Sequence, residues 1–270
     1  MSASLARPAI SPLPEAWMPL TLAEPAEQGI WRVGYAPDPW AWTDWKWATG
    51  HHFDGRWDDL DGTFRSIYAG ASLYSCFVEL LAPLRPDPQL AEEIAAIVAD
   101  PEDVEQFPTT PAGDVDPSWL DNRVAGTATL TGAFCDVTTS TTIATLRPSF
   151  ATRATELGLN DFDVSALNDA AARPLTQAIA TRLCRSTDLD GIRYTSRHGS
   201  DLTLWAIFER SINRPPRCID QQQALDLTPT HPELLAAFAT LGLRWLLPDA
   251  DLPAPTIDGP GIEGVERGLF

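Results

Sequence analysis

Three side chains in this chain could do chemistry together: Glu79 in the mostly apolar run "SLYSCFVELL", Arg56 beside a tryptophan in "GRW", and Ser196 in the polar connection "YTSRHGSD". On a helix, at about 100° per residue, Glu79 falls roughly 130° from the centre of a stripe formed by Leu73, Cys76, Phe77 and Leu80. It is off the core face. Ser72 and Ser75 share its side, so the carboxylate sits in a narrow stripe of small polar residues rather than in a mixture of Lys and Glu. Both a cleft wall and a plain solvated face fit that make-up. Arg56 carries a planar guanidinium fork that clamps a phosphate or pyrophosphate as readily as it pairs with a surface acid. Ser196 either hydrogen-bonds a ligand or forms a turn.

Other chemistries find little support. No G-x-S-x-G surrounds Ser196, and neither a P-loop nor a G-x-G-x-x-G is present. His51 and His52 are adjacent, point to opposite faces of any strand, and lack a cysteine pair or carboxylate at ligand spacing, so no metal site is expected. Cys76, Cys135, Cys184 and Cys218 are too dispersed for a zinc site and read as reduced thiols. Six of the ten tryptophans lie between Trp31 and Trp57. They make either a core cluster or an aromatic wall for a flat ring.

The elements that must position these residues follow from periodicity. "GIWRVGYAP" predicts a short strand through Ile30, Trp31, Val33 and Tyr35, ended by Pro37 and Pro39. "TFRSIYAG" predicts a second, closed by Gly70, and then a helix with Ser72 as N-cap and Leu73, Cys76, Phe77, Leu80 and Leu81 on its buried face. Residues 124 to 137 read as one strand, and 165 to 185 as helix, with Pro174 at a first turn and Leu175, Ile179 and Leu183 on one face. Ile192 to Tyr194 and Leu202 to Glu209 read as two strands. A last helix is expected over 231 to 247, with Thr230 and Glu233 in a weak capping box.

Composition bounds the partners. Nineteen basic against 37 acidic residues give a formal charge of −18, which repels phosphate backbones and anionic lipid, so nucleic acid and membrane are not expected partners. Nine acids and no Lys or Arg lie between Glu92 and Asn122, a solvated surface or a dock for a basic partner. The Pro-rich N-terminus has no signal-peptide pattern, and Leu234 to Leu247 is short of a membrane span and contains Arg244. A cytoplasmic location is the expectation.

Taken together, "GRWDDLDGTFRSIYAGASLYSCFVELL" and, over a hundred residues later, "DGIRYTSRHGSDLTLWAIFE" resemble the RES-domain family, named for an arginine, a glutamate and a serine. Arg56, Glu79 and Ser196 stand at those positions. Tyr68, the D-G-I-x-Y-x-S block through Tyr194, and "IWRVG" with Arg32 match as well, over roughly residues 30 to 210. Asp58 stands where the family often has asparagine, and Asp54 where it often has a second glycine.

The resemblance implies an α+β fold with an ADP-ribosyltransferase-like split β-sheet core and flanking helices. It implies an arm over 1–28, an NAD-binding catalytic domain over 29–215, and a C-terminal helical extension and acidic tail over 216–270. The implied activity is cleavage of the nicotinamide N-glycosidic bond of NAD, by hydrolysis or phosphorolysis, as the toxin of a bacterial toxin–antitoxin system. NAD is then substrate rather than cofactor, and no metal is implied. Glu79, Arg56 and Ser196 would be catalytic, with Tyr68, Arg32, Trp57 and Tyr194 binding substrate. A protein ADP-ribosyltransferase is the alternative, and a non-catalytic NAD- or partner-binding module a further one. A cognate antitoxin and a homo-oligomer are the partners implied.

Overall fold

The computed structural model describes residues 20–25, 27–96 and 111–246. Most of the N-terminal arm, the middle of the acidic 92–122 stretch and the acidic tail lie outside the described residues.

The fold is mixed α+β. Its strands are β1 (Leu22–Ala23), β2 (Gln28–Tyr35), β3 (Ser66–Gly70), β4 (Asp114–Val115), β5 (Arg123–Leu130), β6 (Phe134–Asp136), β7 (Gly191–Ser196), β8 (Gly199–Phe208), β9 (Ile219–Asp226) and β10 (Arg244–Trp245). Its α-helices are α1 (Leu73–Leu81), α2 (Pro88–Ala95), α3 (Ser140–Glu156), α4 (Val164–Asn168), α5 (Arg173–Ser186) and α6 (Pro232–Leu241). Eight strands form one sheet in the order β1-β6-β7-β8-β3-β2-β5-β9, and β4 pairs with β10 separately. Within the large sheet only β6 and β7 run parallel. No helix among the described residues is long and apolar enough to cross a membrane.

The β3–α1 unit forms as its sequence predicts. Ser72 caps α1 by accepting from the Ser75 backbone N–H while Ser75 Oγ lies 3.4 Å from the Ser72 backbone N, so two of the orphan donors at the helix start have partners. Leu73, Cys76, Phe77 and Leu81 are buried as expected, but Leu80 is 45% exposed and Val78 is buried in its place. The buried arc is rotated because α1 packs against α6, through Leu234, Ala237, Phe238 and Leu241, as well as against the sheet. The open side of α1 carries both Glu79 and Leu80.

Other boundaries move for identifiable reasons. The expected strand over 124–137 is two strands, separated at Gly132, whose φ of 115° suits only glycine. β5 pairs with β2 and β9, whereas β6 pairs with β1 and β7, so the chain crosses the sheet there. The helix expected over 165–185 breaks at Asp169, which is extended and accepts from the Ala171 N–H, before Pro174 restarts it in the first turn of α5. Leu175, Ile179 and Leu183 are fully buried. The last helix stops at Leu241, where Gly242 takes a left-handed conformation, and its N-cap is His231, not Thr230. Beyond residue 215, β9 completes the sheet's outer edge.

Candidate functional site

The loop before β3 carries Arg56, and its neighbours hold it rigidly. Trp57 is 1% exposed, packs its indole against the Tyr194 ring at 5.7 Å, and donates its backbone N–H to Tyr68 Oη at 2.8 Å. Gly55 N–H donates to Asp58 Oδ2 at 2.6 Å. A Cβ on Gly55 would overlap both the Asp58 carboxylate and the Tyr68 hydroxyl, so only glycine lets the loop close this tightly. Gln177 on α5 donates to the carbonyls of Phe53 and Gly55 at 3.2 Å each, and Arg173 donates to that of Asp54. Arg56 emerges with its guanidinium 5.5 Å from the Tyr194 ring centroid and donates to Asn168 Oδ1 at 3.3 Å.

Glu79 and Ser196 are 117 residues apart in sequence and in direct contact. Ser196, buried at the end of β7, donates from Oγ to Glu79 Oε1 and accepts from the His198 backbone N–H at 2.9 Å. Helix α1 supplies the carboxylate, and the end of β7 supplies the serine.

These residues open on a cavity of about 450 Å³, in the size range of small-molecule sites. Arg32, Arg56, Tyr68, Glu79 and Tyr194 line it, and Ser196 reaches it through Glu79. Trp57 does not line it: it belongs to the core beneath, and its role is to seat the Arg56 loop. No tryptophan among the described residues lines the cavity, so the aromatic wall there is made of tyrosines.

Electrostatics separate the cavity from the rest of the molecule. Four arginines (Arg32, Arg56, Arg173, Arg197) face two carboxylates (Glu79, Asp169), a local excess of cations in a chain of charge −18. Arg32 is the most exceptional. Its Nη1 is buried with no hydrogen-bond partner among the described residues. Burial lowers its pKa to about 10, against the opposing pull of Cys76, Asp38 and Asp58, so it remains a cation at neutral pH. A buried, unsatisfied guanidinium is costly unless an anion completes it. Burial raises the pKa of Tyr68 and Tyr194, so both phenols stay neutral. Burial also raises Asp58 to about 6, although hydrogen bonds from Gly55, Tyr68 and Ser66 pull the other way.

Sequence reasoning did not single out Asp169, Arg173, Arg197 or His198, all of which line the cavity. Arg197 and His198 directly follow Ser196, and two basic residues in so short a connection are a signal that could have been used. His52 instead approaches Asp54 at 3.6 Å and does not line the cavity.

The RES domain family model matches residues 30–230. No curated protein matches the chain. Among solved structures, the chain resembles one chain of the M. tuberculosis MbcT-MbcA toxin-antitoxin complex, with a TM-score of 0.39 and 16% identity, over 81% of this chain and 90% of that one.

Proposed function

The chain belongs to the RES domain family, and from that premise we propose that it degrades NAD by cleaving the N-glycosidic bond between nicotinamide and ribose. The observation that carries the reading is one cavity holding both a carboxylate, Glu79, and an unsatisfied guanidinium, Arg32. NAD has the complementary pair of features: an anionic pyrophosphate, and a ribose carbon that becomes cationic as the glycosidic bond breaks.

In this reading Arg32 and Arg56 hold the pyrophosphate or a ribose hydroxyl, which fixes the nucleotide before chemistry begins. Glu79 stabilises the oxocarbenium-like ribose as the electron pair of the C1′–N bond leaves with the pyridinium ring. Ser196 holds Glu79 Oε1 in place through its hydroxyl, itself oriented by the His198 N–H. Tyr68 and Tyr194 offer neutral aromatic faces to the nicotinamide. Nicotinamide departs neutral because it was bound as a cation, so departure needs no proton donor.

The proposal extends to the architecture, with the strands of the sheet that fall within 29–215 as an ADP-ribosyltransferase-like split core, and to the biology, a toxin held in check by a cognate antitoxin protein. Incubating the purified protein with NAD, with and without phosphate, tests it. Release of nicotinamide with ADP-ribose or its 1-phosphate is the expected result; bound but intact NAD overturns it, and label from ADP-ribose appearing on protein replaces it with a protein ADP-ribosyltransferase.

A further inference from the structure

We infer that the rim of this cavity is a docking surface for the protein's own acidic C-terminal segment, residues 247–270, which competes there with an anionic substrate. The inference rests on the NAD-cleaving reading above for the substrate that is displaced, and adds to it an occupant for the rim.

The rim joins apolar to basic surface. Leu80, Pro83 and Leu84 are spaced i, i+3 and i+4 along α1 and the 3-10 turn that continues it, Ala82–Leu84, and all three are exposed, Leu80 by 45% and Leu84 by 41%. Leu80 and Pro83 also line the cavity, so this apolar ledge runs into it. The Glu79–Ser196 contact ties the ledge to the turn after β7, where Arg197 is exposed and lines the same cavity. Arg85, also exposed, follows the ledge. Inside, four arginines outnumber two carboxylates. An apolar ledge leading into a cationic cavity fits an extended peptide that intersperses apolar residues with carboxylates.

Residues 247–270, which lie outside the described residues, have that composition. They carry five acids against one base, Arg267, and Asp249, Asp251 and Asp258 flank Leu252 and Ile257. Four prolines reduce the conformational entropy that docking must remove. Residues 1–19, by contrast, hold one arginine and one glutamate and offer the cavity no net charge.

The point where this segment leaves the fold is beside the ledge. β10 ends at Trp245, and the Arg244 N–H donates to the Gly113 carbonyl at 2.9 Å. A Cβ on Gly113 would meet both the Gly242 carbonyl and the Pro86 ring, so the chain just past α6 lies against the residue that follows Arg85. The 24 residues from 247 to 270 extend to roughly 80 Å, far more than the six residues of compact chain between Leu80 and Pro86 require. A short flexible tether holds its free part at about millimolar local concentration, so weak contacts suffice for occupancy.

The test uses three full-length proteins: the wild type; a tail variant with Asp249→Asn, Asp251→Asn and Asp258→Asn; and a control that removes the same charge elsewhere, Asp100→Asn, Glu102→Gln and Asp103→Asn. The tail variant should show a KM for NAD about fivefold below the wild type with kcat within about twofold, and the control should match the wild type. A fluorescent peptide of residues 248–270 should bind the tail variant at least about tenfold tighter than the wild type, whose own segment fills the rim. Adding Leu84→Asp to the tail variant should weaken peptide binding at least about fivefold. An unchanged KM in the tail variant, an equal fall in the control, a peptide that binds both proteins alike, or binding indifferent to Leu84→Asp would each overturn the inference. Inhibition of the wild type that grows with protein concentration would put the segment of a second copy on the rim, and overturns the tethered form. Absence of nicotinamide release by all three proteins overturns the NAD-cleaving reading, while the peptide measurement still decides the docking.

Discussion

The molecule uses arginine and glutamate twice, with opposite outcomes. Arg65 and Glu209 form a bidentate pair, Nε to Oε2 at 2.8 Å and Nη2 to Oε1 at 2.5 Å, and Arg65 also donates to the Thr43 carbonyl and Asn213 Oδ1. Trp42 and Trp45 cover the guanidinium at 5.7 and 5.5 Å, and both charged side chains are almost wholly buried. This pair has its polar needs met from within. Across the sheet's other strands, Glu79 receives one hydroxyl and Arg32 leaves Nη1 without a partner among the described residues. Chemistry of the residue type is the same in both places; the difference is unmet hydrogen-bonding capacity, and a ligand can act only where some is left over.

The comparison can be broken by substitutions on each side of it. Arg65→Met leaves Glu209 buried and unpaired, and should cost about 3–5 kcal/mol in urea unfolding while turnover per folded molecule holds. A loss under about 1 kcal/mol would show that the saturated pair is not the structural one. Asp58 lies between the extremes: it is buried like Glu209, yet no ion pair reaches it among the described residues. Its pKa is raised to about 6, so its stabilising contribution is complete below the unfolded value of 3.8 and is lost as pH rises through 6. Relative to Asp58→Asn, the wild type should therefore lose on the order of 3 kcal/mol between pH 4 and 7, read from unfolding curves across that range. Glu79→Gln should lower nicotinamide release by roughly a hundredfold or more, about 2.7 kcal/mol of transition-state stabilisation, at an unchanged melting temperature. Near-normal release by that folded variant would remove the carboxylate from the mechanism. Arg32→Gln should have the smallest effect, raising KM for NAD about tenfold, or about 1.4 kcal/mol, with no loss of stability, because it deletes a group left unsatisfied.

What the sequence made legible was local. Ser72, the Leu73–Leu81 periodicity and the D-G-I-x-Y-x-S block each carry their structural instruction within one element, and the structure follows them except at Leu80, which packing against α6 turns outward. Helix α3 was not identified because Thr-rich turns and Pro148 obscure its pattern, although Thr142, Leu146, Phe150 and Ala154 are buried at every fourth position. Strand β9 escaped because an outer-edge strand buries only Ile219 and shows no alternation. Within the site, residue types could nominate Arg56, Glu79 and Ser196, but the contact between Glu79 and Ser196 depends on where α1 meets the end of β7, which no spacing encodes. The orphaned Nη1 of Arg32 is a property of packing. Trp57 shows the converse: its place beside Arg56 suggested a ligand contact, and its burial makes it the anchor of the loop.

The arginine-lined cavity sits inside a molecule whose field is negative overall, and this shapes how an anion reaches it. Exposed charges act over about 8 Å at physiological salt, so an approaching anion meets repulsion from the acidic exterior before the arginines can attract it. Modest added salt weakens the outer barrier first, since the cavity is less accessible to mobile ions. Capture of an anionic ligand should then quicken as ionic strength rises from very low values and slow only once the cavity itself is screened, the reverse of an enzyme that draws its substrate in from afar.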